Sequence, residues 1–133
     1  MKMKKVLITG ASGFVGGFLV EEAISRGLTV HSAVRKSSNT EVLDVLDTKL
    51  VYWDFEDIDD MANILRQEKY DYVIHNAGLT KAKKKEAYFK VNEQYLRNLV
   101  DAIRKADLHL DKFLFVSSLA AYGPADFQPE NIV

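Results

Sequence analysis

The chain has 133 residues, enough for one domain with a buried core. Hydrophobic residues make up 47% and charged residues 28%, which excludes a disordered chain, and the net charge of -1 gives no general pull toward nucleic acid or an anionic membrane. The absence of cysteine excludes disulfides, thiol catalysis and cysteine-ligated metal, and His31, His75 and His109 are too widely spaced for a helical metal motif.

The first residues, Met1 to Lys5, are basic but lead into a short strand-like run rather than a signal peptide. No apolar run approaches the roughly 18 residues of a membrane span, so a cytoplasmic protein without membrane contact is expected. Val6-Leu7-Ile8 reads as a parallel strand buried on both faces. Phe14, Val15, Phe18, Leu19, Ala23 and Ile24 then recur at helical spacing, and Gly27 is placed to stop that helix. A second strand is expected at Thr29–Val34, a loop at Lys36–Asn39, a weak helix at Glu41–Leu46 and a third strand at Lys49–Trp53. Ile58, Met61, Ala62 and Leu65 form another helical stripe, with Asp57 and Asp59 favourable at its positive end. A fourth strand at Asp71–His75 leads to a long helix over Lys84–Ala106, with Tyr88, Val91, Tyr95, Leu99 and Ile103 on one face. Lys112–Val116 is the fifth strand.

Strands joined by helical crossovers imply one α/β domain over residues 1–133. The expected sheet is Rossmann-type, doubly wound and parallel, with five strands in the order 3-2-1-4-5 and helices on both faces in three α/β/α layers.

The first strand ends in Thr9-Gly10-Ala11-Ser12-Gly13-Phe14-Val15-Gly16, directly before the first helix. Gly10 permits the tight turn, Gly13 lets the backbone approach a pyrophosphate, and Gly16 lets helix and strand pack closely. The helix start offers unpaired N–H groups and partial positive charge to phosphates. A glycine pattern alone could be a ligand-free turn; its place on the first βα turn makes it a dinucleotide loop.

This Thr-Gly-x-x-Gly-x-x-Gly loop resembles that of the extended short-chain dehydrogenases/reductases, the NAD(P)-dependent epimerase/dehydratase type. Three further segments match in order and spacing. Asp54-Phe55 resembles the Asp-apolar pair that touches adenine, and His75-Asn76-Ala77-Gly78 resembles the turn beside the cofactor. Phe115-Val116-Ser117-Ser118-Leu119-Ala120-Ala121-Tyr122-Gly123 is similar to the family's serine segment. The resemblance implies cofactor contacts from Gly10, Ser12, Gly13, Phe14, Val15, Gly16, Asp54, Phe55, Asn76, Ala77, Gly78 and Ser117. It implies that Ser118 is the catalytic hydroxyl orienting a substrate oxygen. Asn92, in mid-helix, matches an Asn that holds active-site geometry; a solvated polar position is the equal alternative.

Folds that prefer NAD carry an acid about 20 residues after the glycines. Here no acid lies between Glu22 and Glu41, and Arg35-Lys36 stand where a 2′-phosphate would sit. NADP is favoured over NAD, with a solvated basic loop as the competing reading.

The resemblance also implies a Tyr-x-x-x-Lys acid–base pair, yet no tyrosine here has Lys four residues on. The pair is expected beyond Val133, so this chain by itself is expected to be inactive, the cofactor-binding part of a longer enzyme. The expected partners are the dinucleotide and a small hydroxylated substrate such as a nucleotide sugar. The alternative is a nucleotide-sensing protein of the same fold. Loss of the following segments would expose the fifth strand and part of the Tyr88–Leu99 face, so a homo-oligomer is expected.

Overall fold

The computed structural model describes residues 3–76 and 85–116, the latter with side chains from residue 92 onward. Nine elements alternate along it: β1 (Lys5–Thr9), α1 (Phe14–Ser25), β2 (Thr29–Val34), α2 (Glu41–Asp44), β3 (Lys49–Tyr52), α3 (Ile58–Glu68), β4 (Tyr72–His75), α4 (Lys85–Lys105) and β5 (Lys112–Phe115). The sheet runs β3-β2-β1-β4-β5, and all four pairings are parallel. This is the expected Rossmann-type order; the ranges expected for β2 to β5, α2 and α4 hold to within two positions, and α3 runs three residues past its last stripe residue, Leu65.

Alternation along β1 divides the core. Val6 and Ile8 face one way and pack with Val20 and Ala23 of α1 and Leu43 of α2. Leu7 faces the other way, toward Met61 and Leu65 of α3 and Leu99 and Ala102 of α4. Each face of the sheet thus has its own helical layer, which gives the three α/β/α layers.

The rotation of α1 differs from the expected apolar stripe. Its buried residues are Gly16, Gly17, Val20 and Ala23, whereas Phe14, Val15 and Phe18 are exposed. The cause is close backbone approach: a Cβ on Gly16 would sit 2.1 Å from the Gly10 carbonyl oxygen and 2.7 Å from Ala11 Cα. Small residues must face the sheet, and the aromatic arc is turned to solvent. The expected loss of partners along α4 is also corrected at Leu99, which is fully buried, and at Tyr95, which stacks on Phe55 at 4.8 Å. Tyr88 and Val91 have side chains outside the described set.

At the end of the sheet where the strands begin, Lys5 and Lys49 both reach the Glu68 carboxylate, at 3.2 and 3.1 Å. His31 meets the Tyr70 hydroxyl there at 2.9 Å, beneath the α3 layer. Burial lowers the His31 pKa and raises that of Tyr70. The strand starts are thereby fastened, while the opposite edge is left to the loops.

Candidate functional site

Because the strands are parallel, the segments that follow β1, β2, β3 and β4 emerge at one edge. These are the glycine loop, the Arg35–Ser38 turn, the Trp53–Asp57 turn and Asn76. The connection from β1 leads toward β2, and β4 lies on the other side of β1, so the chain diverges at the glycine loop. Such a switch point is where open α/β sheets bind ligands.

The loop is built on one carbonyl. Gly10 leaves β1 with φ of 64°, in the left-handed region, and its oxygen accepts the Gly13 N–H at 3.2 Å. Asn76 Nδ2 donates to the same oxygen at 3.4 Å. Gly13 is the N-cap of α1 and provides no side-chain hydrogen bond, and the first turn contains no acidic residue. The positive end of α1 is therefore uncapped and uncompensated, next to a loop without side-chain bulk, which suits an anionic group. Ser12 is half-buried, Gly13, Phe14 and Val15 are exposed, and Gly16 is buried. The first four positions can meet a ligand directly; Gly16 acts by letting the loop close.

Arg35 and Lys36 lie just past β2, both exposed. The turn is shaped by Ser38, whose hydroxyl accepts the Arg35 N–H at 3.1 Å. Neither cation joins a salt bridge among the described residues. Register places Ala33 beside Thr9, so this basic turn stands next to the glycine loop.

Asp54 and Phe55 separate in role. The exposed Asp54 carboxylate accepts the Glu56 N–H at 2.9 Å, a local turn that leaves its second oxygen to solvent. Phe55 is only 5% exposed, with its ring among Trp53, Tyr95 and His75. The ring belongs to the core, so any part of Phe55 in binding is played by its backbone.

At the end of β4 the backbone N–H of Asn76 donates to Thr9 Oγ1 at 3.0 Å. The same hydroxyl lies 2.8 Å from His75 Nδ1. His75 is fully buried, and burial lowers its pKa to about 4, so the ring is neutral at pH 7. Its Nε2 has no hydrogen-bond partner among the described residues, and neither does the buried Trp53 indole N–H. His75 thus fastens a strand end through one nitrogen.

Asn92 is half-buried. Ala77, Gly78, Ser117 and Ser118 lie outside the described residues. One site-supporting residue was missed: Asn98 of α4, 8% exposed, donates through Nδ2 to the Phe55 carbonyl at 2.9 Å. Gln94 Nε2 donates to its Oδ1 at 2.8 Å. The argument applied to Asn92, an Asn within a helix asking for a reason, would have found it. Among the described residues, no cluster of three or more His, Cys, Asp or Glu could hold a metal ion. No helix among them is long and apolar enough to cross a membrane.

An open parallel sheet whose switch point presents a glycine-lined, uncapped helix start is the architecture of nucleotide-binding α/β domains. The chain belongs to the NAD dependent epimerase/dehydratase family, which it matches over residues 6–132. It is 29% identical to the UDP-glucose 4-epimerase of Pisum sativum, over 97% of this chain and 39% of that protein. It is 33% identical to an uncharacterized chloroplastic protein of Arabidopsis thaliana, over 94% of this chain and 45% of that one. In structure it resembles the UDP-glucose-4-epimerase of Stenotrophomonas maltophila, solved with NAD and formylated UDP-arabinopyranose. That match has a TM-score of 0.80 and 26% identity, covering 96% of this chain and 40% of the other. The Bifidobacterium longum UDP-glucose 4-epimerase, solved with NAD+ and UDP, matches with a TM-score of 0.75 and 26% identity, over 90% and 38% of the two chains. The chain therefore spans about two fifths of the length of these relatives.

Proposed function

We propose that the chain is the cofactor-binding part of an NAD(P)-dependent epimerase, dehydratase or related carbonyl reductase that works on a nucleotide sugar. The observation carrying this reading is the uncapped start of α1 behind a loop in which Gly16 has no room for a Cβ. Bound there, the dinucleotide would supply hydride exchange at a hydroxyl-bearing carbon. Gly10, Ser12, Gly13, Phe14 and Val15 would hold its pyrophosphate, Asp54 and the Phe55 backbone its adenine end, and Asn76, Ala77, Gly78 and Ser117 its inner face. Gly16 and Asn92 would shape the site, and Ser118 would orient the substrate oxygen. The relatives solved with UDP or a UDP-sugar support a nucleotide sugar as the substrate class.

NADP is the preferred cofactor in this proposal, through Arg35 and Lys36, which are exposed and unpaired among the described residues beside the loop. Calorimetric titration of NAD+ and NADP+ tests it. The wild type is expected to bind NADP+ more tightly, and Arg35→Ala to lose at least tenfold in NADP+ affinity with little change for NAD+, the size of one charge-assisted phosphate contact. Equal losses, or a wild-type preference for NAD+, would overturn it. The chain contains no Tyr-x-x-x-Lys, so no turnover is expected from it alone with NAD(P)+ and a UDP-sugar. A cytoplasmic setting and self-association along β5 complete the proposal.

A further inference from the structure

The outward face of α1 begins apolar, at Phe14, Val15 and Phe18, where a surface helix is ordinarily polar. Phe14 is 84% exposed and Phe18 is 59% exposed, and their rings meet edge to face at 5.2 Å. Val42 on α2 is 60% exposed and Val45, just past it, 83%. The two helices touch at Gly17, where an added Cβ would stand 3.4 Å from Val42 Cγ1. With no side chain there, a groove opens between them, lined by Phe14, Gly17, Phe18 and Val42, with Glu21 as its one charged wall. None of the four exposed apolar residues belongs to either core cluster. Exposed apolar patches of this kind mark interaction sites.

The charged groups of the groove wall and of α2 are acidic. Glu21, Glu41 and Asp44 are exposed, and none enters a salt bridge among the described residues. Glu41 and Asp44 stand on either side of Val42 along α2, and Val45 follows Asp44. A second copy of this chain is a poor occupant. A two-fold contact would set this acidic rim against itself.

We propose that the α1–α2 face docks a basic amphipathic helix of a partner polypeptide. Its apolar stripe lies over Phe14, Phe18 and Val42, and its Lys or Arg side chains lie opposite Glu21, Glu41 and Asp44. Recognition of this kind needs an apolar groove with complementary charge at its rim, and both are present. The groove shares Ser12, Gly13 and Phe14 with the glycine loop: the backbone of Phe14 opens α1, while its ring lies with Phe18. A docked helix would therefore sit against the outer side of the cofactor loop.

Two fluorescein-labelled model peptides of about 14 residues test the proposal, an amphipathic Leu/Lys helix and its Leu/Glu counterpart. Anisotropy titration is expected to show the wild-type chain binding the Leu/Lys peptide and not the Leu/Glu one. Phe18→Ser with Val45→Ser should weaken that binding about tenfold or more, since aromatic anchors carry most of such energy. Glu21→Lys with Asp44→Lys should shift the preference toward the Leu/Glu peptide. All four positions are exposed, and circular dichroism melts confirm that the variants stay folded. Equal binding of both peptides by the wild type, or Leu/Lys binding unchanged in the folded Phe18→Ser/Val45→Ser variant, overturns the proposal. So does a wild-type dimer in sedimentation that Phe18→Ser/Val45→Ser abolishes, because the face would then belong to a second copy.

Discussion

At Gly16 even a methyl group has nowhere to go, because the nearest atoms are the Gly10 carbonyl oxygen and the Ala11 backbone rather than a movable side chain. Gly16→Ala must push α1 away from the end of β1, at a cost of about 1–3 kcal/mol, and it should weaken dinucleotide binding at least tenfold. Gly13→Ala meets only an ordinary contact at 3.4 Å, at an ordinary φ of -81°, so its effect on stability should be small. Thermal melts compare the two, and similar losses of stability would contradict this account. His75 makes a second prediction at the same scale. Its pKa falls from an ordinary 6.5 to about 4 on folding, because the charged ring cannot be hydrated in its site. The native state thus favours the neutral ring. The associated stability is complete above pH 6.5 and is lost as the pH falls through 4, on the order of 3 kcal/mol in all. Urea unfolding between pH 7 and pH 4 should show a steeper loss for the wild type than for His75→Asn, and parallel slopes would refute the assignment.

Among the described residues, three helices end with a left-handed residue, and only one of these uses glycine. After α1, Gly27 takes φ of 80°; its N–H donates to the Ile24 carbonyl and the Leu28 N–H to the Ala23 carbonyl, a Schellman closure. After α4 the same pair of bonds recurs, from Asp107 to Arg104 and from Leu108 to Ile103, but with Asp107 at φ of 51°. After α3, Lys69 holds φ of 54° while its N–H donates to the Leu65 carbonyl. A side chain in this region is strained by about 1–2 kcal/mol, least for Asp and Asn. Lys69→Gly is therefore expected to stabilise the fold by about 0.5–1 kcal/mol after the entropy of the added glycine is counted, and Asp107→Gly by less. At the other end of α3, the Asp57 carboxylate accepts the Asp60 N–H at 3.0 Å, so Asp57→Ala should cost about 1 kcal/mol. Denaturant midpoints read all three, and a loss on Lys69→Gly would count against the strain.

Among the described residues the sheet ends on β5, which pairs with β4 and exposes Phe113, Leu114 and Phe115 at 37%, 53% and 47%. Such an edge is a template for another chain, and a lysine on it is a common remedy. Leu114→Lys is expected to reduce any self-association seen by light scattering at micromolar concentration without lowering the melting temperature; an unchanged mass for an associating wild type would exclude the β5 edge. Much of this architecture was legible in order along the chain. Unbroken apolar runs such as Val6-Leu7-Ile8, helical spacing such as Ile58-Met61-Leu65, and glycines at 10, 13 and 16 are local signals. The crossover rule turns them into one strand order, and the loop identifies the ligand-binding edge. What tertiary structure alone decided was how the pieces face each other. Helical period located α1 but not its rotation, because the clash that sets it lies between Gly16 and the Gly10 carbonyl, outside the helix. The Phe55 ring went into the core rather than toward a ligand because Tyr95 and His75 arrive from elements far along the chain to enclose it. Asn98 holds the Phe55 carbonyl from 43 residues away. Periodicity and spacing report what neighbours in sequence share; contacts between distant segments depend on steric fit and hydrogen-bond pairing that exist only once the chain has folded.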